Sequence, residues 1–206
     1  MTFFAIVLFY ITAEYLSFKP DINFLLVKGE LIFDPIWRPT FYIHVISGMA
    51  IILVGPFQFI EKIRNKNLKL HKAIGRIYAY GILLFAAPTG LIMAFYAEGG
   101  QSSTIAFLIM GGLWFYTTIM AIVRVKQRNI IEHQKWMYRS FALSFAAVTL
   151  RILVPLMSFA NTFTEDFVIV STAWLSWIIN LLFIEIFIHF KFKKNQSINK
   201  SKKSEI

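Results

Sequence analysis

The groups in this chain that could do chemistry are few. His44, His71, His133 and His189 are its four imidazoles, and no cysteine accompanies them. Imidazole ligates haem iron, copper or zinc, or relays a proton. Without thiols, disulfides, thiolate nucleophiles, Cys-ligated zinc and Cys-ligated iron–sulfur clusters are excluded. Three guanidinium groups, Arg76, Arg139 and Arg151, lie within or at the mouths of apolar runs. Ser140 stands about two turns from His133 along one helix with no orienting acid nearby, so no hydrolase constellation forms. Neither a phosphate loop nor a dinucleotide fingerprint is present.

Helical spacing groups these residues. In "IEHQKWMYRS" and the run that follows it, His133, Met137, Ser140, Ser144, Ala147 and Arg151 recur at steps of four and three and share one face. His44, Gly48, Ile51, Gly55 and Gln58 form a second stripe, and His71, Gly75, Tyr78 and Ile82 a third. Small residues on a membrane helix admit a close neighbour, either another backbone or a flat ligand.

Only a membrane explains the elements that carry these stripes. The chain is 57% hydrophobic and 16% charged, where a soluble domain has about 25% charged residues. The apolar excess gathers in runs of about 20 residues, the length that crosses the bilayer hydrocarbon. The fold class is therefore all-α: a polytopic transmembrane helix bundle over residues 1–190, with six predicted spans, or five if the first helix stops short. Residues 191–206 are expected to form a disordered, basic cytoplasmic tail.

The net charge of +10 concentrates in "EKIRNKNLKLHK", "RVKQRNIIEHQK" and the C-terminal tail, while "AEGGQ" and "NTFTED" carry acids and no base. Basic excess at every second connection places both termini in the cytoplasm and the protein in a bacterial inner membrane. The bases orient helices, so the lipid bilayer is the expected partner and nucleic acid is not.

Topology converts position into depth. His71, Arg76, His133, Arg139, Glu185 and His189 fall in an inner layer, and His44 and Arg151 in an outer one, joined by Glu14 if the first helix spans. Arg151 is expected to face the bundle interior, because a lipid-facing charge costs at least about 2.5–3.5 kcal/mol. Trp37, Trp114 and Trp136 read as interfacial anchors or packing. Pro88 and Pro155 mark bends.

"LHKAIGRIY" (70–78), "HQKWMYRS…VTLR" (133–151) and the upstream "HVISGMAIILVGPFQF" resemble a bacterial family of integral membrane proteins to which no reaction is assigned. The resemblance covers about residues 40–155. It implies a multi-helix inner-membrane protein and draws attention to His44, His71, Gly75, Arg76, Tyr78, His133, Trp136, Met137, Arg139, Ser140 and Arg151. A looser, architectural similarity is to b-type cytochrome bundles. The two-haem pattern fails, because the outer layer holds a single histidine.

Three functions compete. A redox component would hold one haem b, or a copper or zinc ion, between His71 and His133. Gly75 and Ser140 would leave room for the porphyrin, Arg76 or Arg139 would pair its propionates, and a membrane quinone or protein would exchange electrons. A binding or transport protein would use a polar intrabundle site of His44, Ser144 and Arg151 for a small anionic or lipid-like molecule. A structural or assembly protein would use the same polar groups to set helix register.

Overall fold

The computed structural model describes the backbone of residues 2–20, 22–160 and 162–204, and side chains between 6 and 193 except at positions 21, 23, 24, 27 and 161. Side chains of the expected basic tail beyond Lys193 lie outside the described residues. No strand occurs among the described residues.

Among the described residues, five helical segments are long and apolar enough to cross a membrane: Trp37–Phe59, Leu68–Ala94, Gly100–Lys126, Ile130–Phe159 and Glu165–Lys193. The N-terminal helix α1 (Thr2–Ala13) continues into a 3₁₀ turn, Glu14–Ser17. Its 12 α-helical residues fall short of the roughly 20 a full span requires. It packs instead through Leu8 against Ile52 and Val148. Five spans and a short companion helix result, the second of the two counts that the sequence allows.

The first span is α2 (Trp37–Val54) with a 3₁₀ extension, Gly55–Phe59. Asp34 Oδ1 accepts from the amides of Ile36 and Trp37 at 2.8 and 2.7 Å, capping its start. A short helix, α3 (Glu61–Lys66), leads to α4 (Leu68–Tyr80), which the Asn67 side chain caps through the Leu70 amide. The second span continues as a π-helical segment, Gly81–Ala86, and α5 (Ala87–Ala94). Gly99 and Gly100, with φ of +87° and +65°, make the tight turn that only glycine enters without strain. They lead into α6 (Gly100–Lys126).

The fourth span is α7 (Ile130–Ser144) followed by α8 (Ala146–Phe159), and the fifth belongs to α9 (Glu165–Ser204). α6 and α7 pack as a helical hairpin, α8 and α9 as another. The fourth span breaks at Phe145, where the Val148 amide bonds the Phe145 carbonyl at 3.0 Å, and not at Pro155, which α8 accommodates.

The core cluster with the most buried members among the described residues lies within the bundle and includes Tyr78, Ile82, Ala86, Trp114, Phe141 and Trp177. On the side opposite the basic connections, a 3₁₀ segment, Asn23–Phe33, folds over α2. Its Lys28 Nζ donates to the Tyr96 carbonyl at 2.9 Å and to Glu98 Oε1 at 2.7 Å, tying this cover to the turn after the second span. Of the two readings open for Trp37, packing is the one the structure shows: it is 1% exposed and stacked on Phe41.

Candidate functional site

The stripes on α4 and α7 meet in the middle of the bundle. Tyr78 Oη shares hydrogen bonds of 3.0 Å with both Ser140 Oγ and Ser144 Oγ. From α6, Trp114 Nε1 donates to Ser144 Oγ at 2.9 Å, and Thr118 Oγ1 lies 2.8 Å from Ser140 Oγ. Tyr78, Thr118 and Ser140 are fully buried. This layer pins three spans together and leaves none of its five polar side chains unpaired. In hydrocarbon surroundings that satisfaction fixes register, because any slip would orphan several groups at once.

A second polar clasp holds the break. Asn180 Nδ2 donates to the Ala142 carbonyl at 3.1 Å and its Oδ1 accepts from Thr149 Oγ1 at 3.0 Å. The regular helical donor to Ala142 would be Ala146, the first residue beyond the break, so the asparagine occupies a carbonyl that the break disturbs. Beyond Phe145 the buried positions become Ala146 and Val148. The face that buries Met137, Ser140 and Ser144 therefore turns away, and Ala147 and Arg151 point outward. Arg151 Nη1 donates to its own helix at the Ala147 carbonyl, 3.1 Å away. His44 and Tyr15 lie within electrostatic range of it. His44, half-buried, and Arg151, exposed, thus lie within electrostatic range of each other, whereas Ser144 belongs to the central layer.

At the basic side, His71 on α4 and His133 on α7 lie within electrostatic range of each other, with Arg64 also near His71. Arg64 Nη2 is itself 3.4 Å from Glu61 Oε1. His133 Nδ1 donates to the Ala121 carbonyl at 2.8 Å. A carbonyl takes only a donor, so the proton of the neutral ring sits on Nδ1 and the lone pair on Nε2. His44 is held the same way, Nδ1 donating to the Ala86 carbonyl at 2.8 Å, where the π segment ends. His71 Nδ1 is buried and has no hydrogen-bond partner among the described residues.

The residues expected to cradle a porphyrin are dispersed. Ser140 is consumed by the central layer. A Cβ on Gly75 would stand 2.9 Å from Gln58 Oε1, so the buried Gln58 amide fills the space that glycine leaves. Arg139 forms a two-pronged ion pair with Glu185 of α9, Nε–Oε1 at 2.5 Å and Nη2–Oε2 at 2.9 Å, and stacks over Trp136. Arg76 is exposed on α4 and faces a groove toward α2. His189 is exposed and packs edge-on against Phe190, away from these groups.

Sequence reasoning missed Thr118 and the polar role of Trp114. One signal was available: Trp114 lies near the middle of a 27-residue span, far from either interface where anchoring tryptophans gather, and a buried indole N–H needs an acceptor.

Five apolar helices packed on a hydrogen-bonded central layer define a multi-pass integral membrane protein. The chain belongs to the family described as predicted membrane protein (DUF2306), which it matches over residues 41–188, from α2 into α9. No curated protein and no solved structure matches it.

Proposed function

We propose that the mouth on the basic side is a binding site for a soft transition-metal ion, Cu(I) foremost, held between His71 and His133. The observation that carries this reading is two imidazoles from different spans within electrostatic range of each other, one with Nε2 left as a lone pair and the other with Nδ1 buried and without a hydrogen-bond partner among the described residues. An imidazole nitrogen oriented by a carbonyl on its far side is the usual arrangement of a metal-ligating histidine. Met137, buried one turn along α7 from His133 and on the same helical face, would offer a thioether as third donor.

The donor chemistry selects the ion. No three His, Cys, Asp or Glu side chains come together among the described residues. Calcium and magnesium, which require oxygen shells, and structural zinc, which requires four ligands, are poorly served. Two imidazoles and a thioether suit Cu(I), which accepts low coordination numbers and soft donors. On this reading the central layer is architecture, and the protein binds copper at one membrane face.

The test is a Cu(I) competition titration of the purified protein against a chromophoric chelator. One equivalent should bind to the wild type and to Lys126→Ala, and binding should fall at least about tenfold in His71→Ala and in His133→Ala. Unchanged binding in both histidine variants would defeat the proposal. So would a Soret band with reduced α and β bands in the purified protein, since a porphyrin would then occupy the imidazoles.

A further inference from the structure

Arg76 has no role in the central layer or at the histidine pair, and its position calls for one of its own. It stands at one end of a groove of about 690 Å³ between α2 and the second span. The volume falls within the roughly 300–1,000 Å³ of small-molecule sites. Tyr42 and Ile43 on α2 and Phe85 on the π segment mark the other end, with Ile46, Ala50 and Ile77 along the walls. Ser47 also lines it, but its hydroxyl is turned back onto the Ile43 carbonyl at 2.6 Å, leaving carbon toward the groove. Gly81 forms part of the floor, against Ile51.

Length and charge identify the occupant. Nine residues separate Tyr42 from Ile51, about 13 Å of helix rise, and Arg76 lies more than a further turn along the bundle axis. The groove is therefore roughly 20 Å long, more than the ~15 Å of one leaflet's hydrocarbon. Lys69, Lys72 and Arg76 recur at steps of three and four on α4, and all three are exposed. One face of α4 thus carries a cationic ladder from the basic connection down to the mouth of an apolar slot. A guanidinium at such a mouth, with ammonium groups above it, fits a phosphate whose attached chain lies in the slot.

We infer that this groove holds one anionic phospholipid of the leaflet on the basic side, its phosphate on Arg76 and an acyl chain along Ile46, Ala50, Ile77 and Phe85. The site is separate from the histidine pair and stands whether or not that pair binds metal.

Native mass spectrometry of the protein, released from detergent after incubation with phosphatidylglycerol or phosphatidylcholine of identical chains, tests it. The wild type should retain one phosphatidylglycerol in preference to phosphatidylcholine by at least about fivefold. Arg76→Gln should abolish the preference. Ala50→Trp, which places an indole in the slot while keeping every charge, should lose the bound lipid, and Lys126→Gln should behave as wild type. Equal retention of the two lipids by the wild type would overturn the assignment, as would an undiminished preference in Arg76→Gln or undiminished retention in Ala50→Trp. Retention of a neutral prenylated quinone that displaces the lipid and ignores Arg76→Gln would overturn it too.

Discussion

The central layer and the basic mouth are built from the same two helices, α4 and α7, yet they treat polar atoms oppositely. Tyr78, Ser140 and Ser144 pair with one another and with Trp114 and Thr118 of α6, all of them buried. Two turns closer to the basic side, His71 on α4 keeps a buried nitrogen without a partner among the described residues, and His133 on α7 presents one nitrogen after giving the other to Ala121. A membrane interior penalises unpaired polar groups, so a satisfied network stabilises and an unsatisfied one stores a capacity to bind. Stability should therefore reside in the first region and ligand affinity in the second.

Substitutions can break that division. The largest effect is expected from Tyr78→Ala, which removes a fully buried ring from the core and two hydrogen bonds from the layer. A loss of about 3–5 kcal/mol is expected, read as a collapse of the thermal midpoint in mild detergent. Gly55→Ala comes next. Its new Cβ would collide with the Phe141 ring and sit 3.3 Å from the Tyr78 ring, so overpacking of about 1–3 kcal/mol should lower the same midpoint.

Arg139→Gln should cost less, about 1 kcal/mol or below, because the pair stands toward the basic ends of its two spans and Glu185 is 48% exposed. A double-mutant cycle with Glu185→Gln isolates the coupling. The smallest effect belongs to His71→Ala. Its ring makes no described hydrogen bond through Nδ1, and apo stability should change by no more than about 0.5 kcal/mol.

The two regions also differ in how far the sequence discloses them. Spacing alone aligned Ser140 with Ser144 and Tyr78 with His71, because 3.6-residue periodicity survives in any helix. It could not reveal that α6 answers them with Trp114 and Thr118, since an apolar span gives no sign of which face meets which neighbour. The reach of Arg139 to Glu185 was hidden for the same reason. The break at Phe145 was hidden more deeply. "FALSFAAVT" contains neither proline nor glycine, and the distortion is held by Asn180 from another span. Helical spacing alone therefore carries the stripe unbroken to Arg151, which the structure turns outward.

Thermal unfolding of the wild type, Tyr78→Phe and His71→Ala, each with and without excess Cu(I), tests the division most directly. Tyr78→Phe should melt lower than wild type by the loss of about 1–2 kcal/mol yet gain as much from copper. His71→Ala should melt like the wild type without metal and gain no more than about 1.4 kcal/mol from it, against a wild-type gain of about 2.7 kcal/mol at a hundredfold excess over the wild-type dissociation constant. If His71→Ala instead destabilised the apo protein as much as Tyr78→Phe, or kept the full copper-induced shift, structure and binding would not be divided between these two layers.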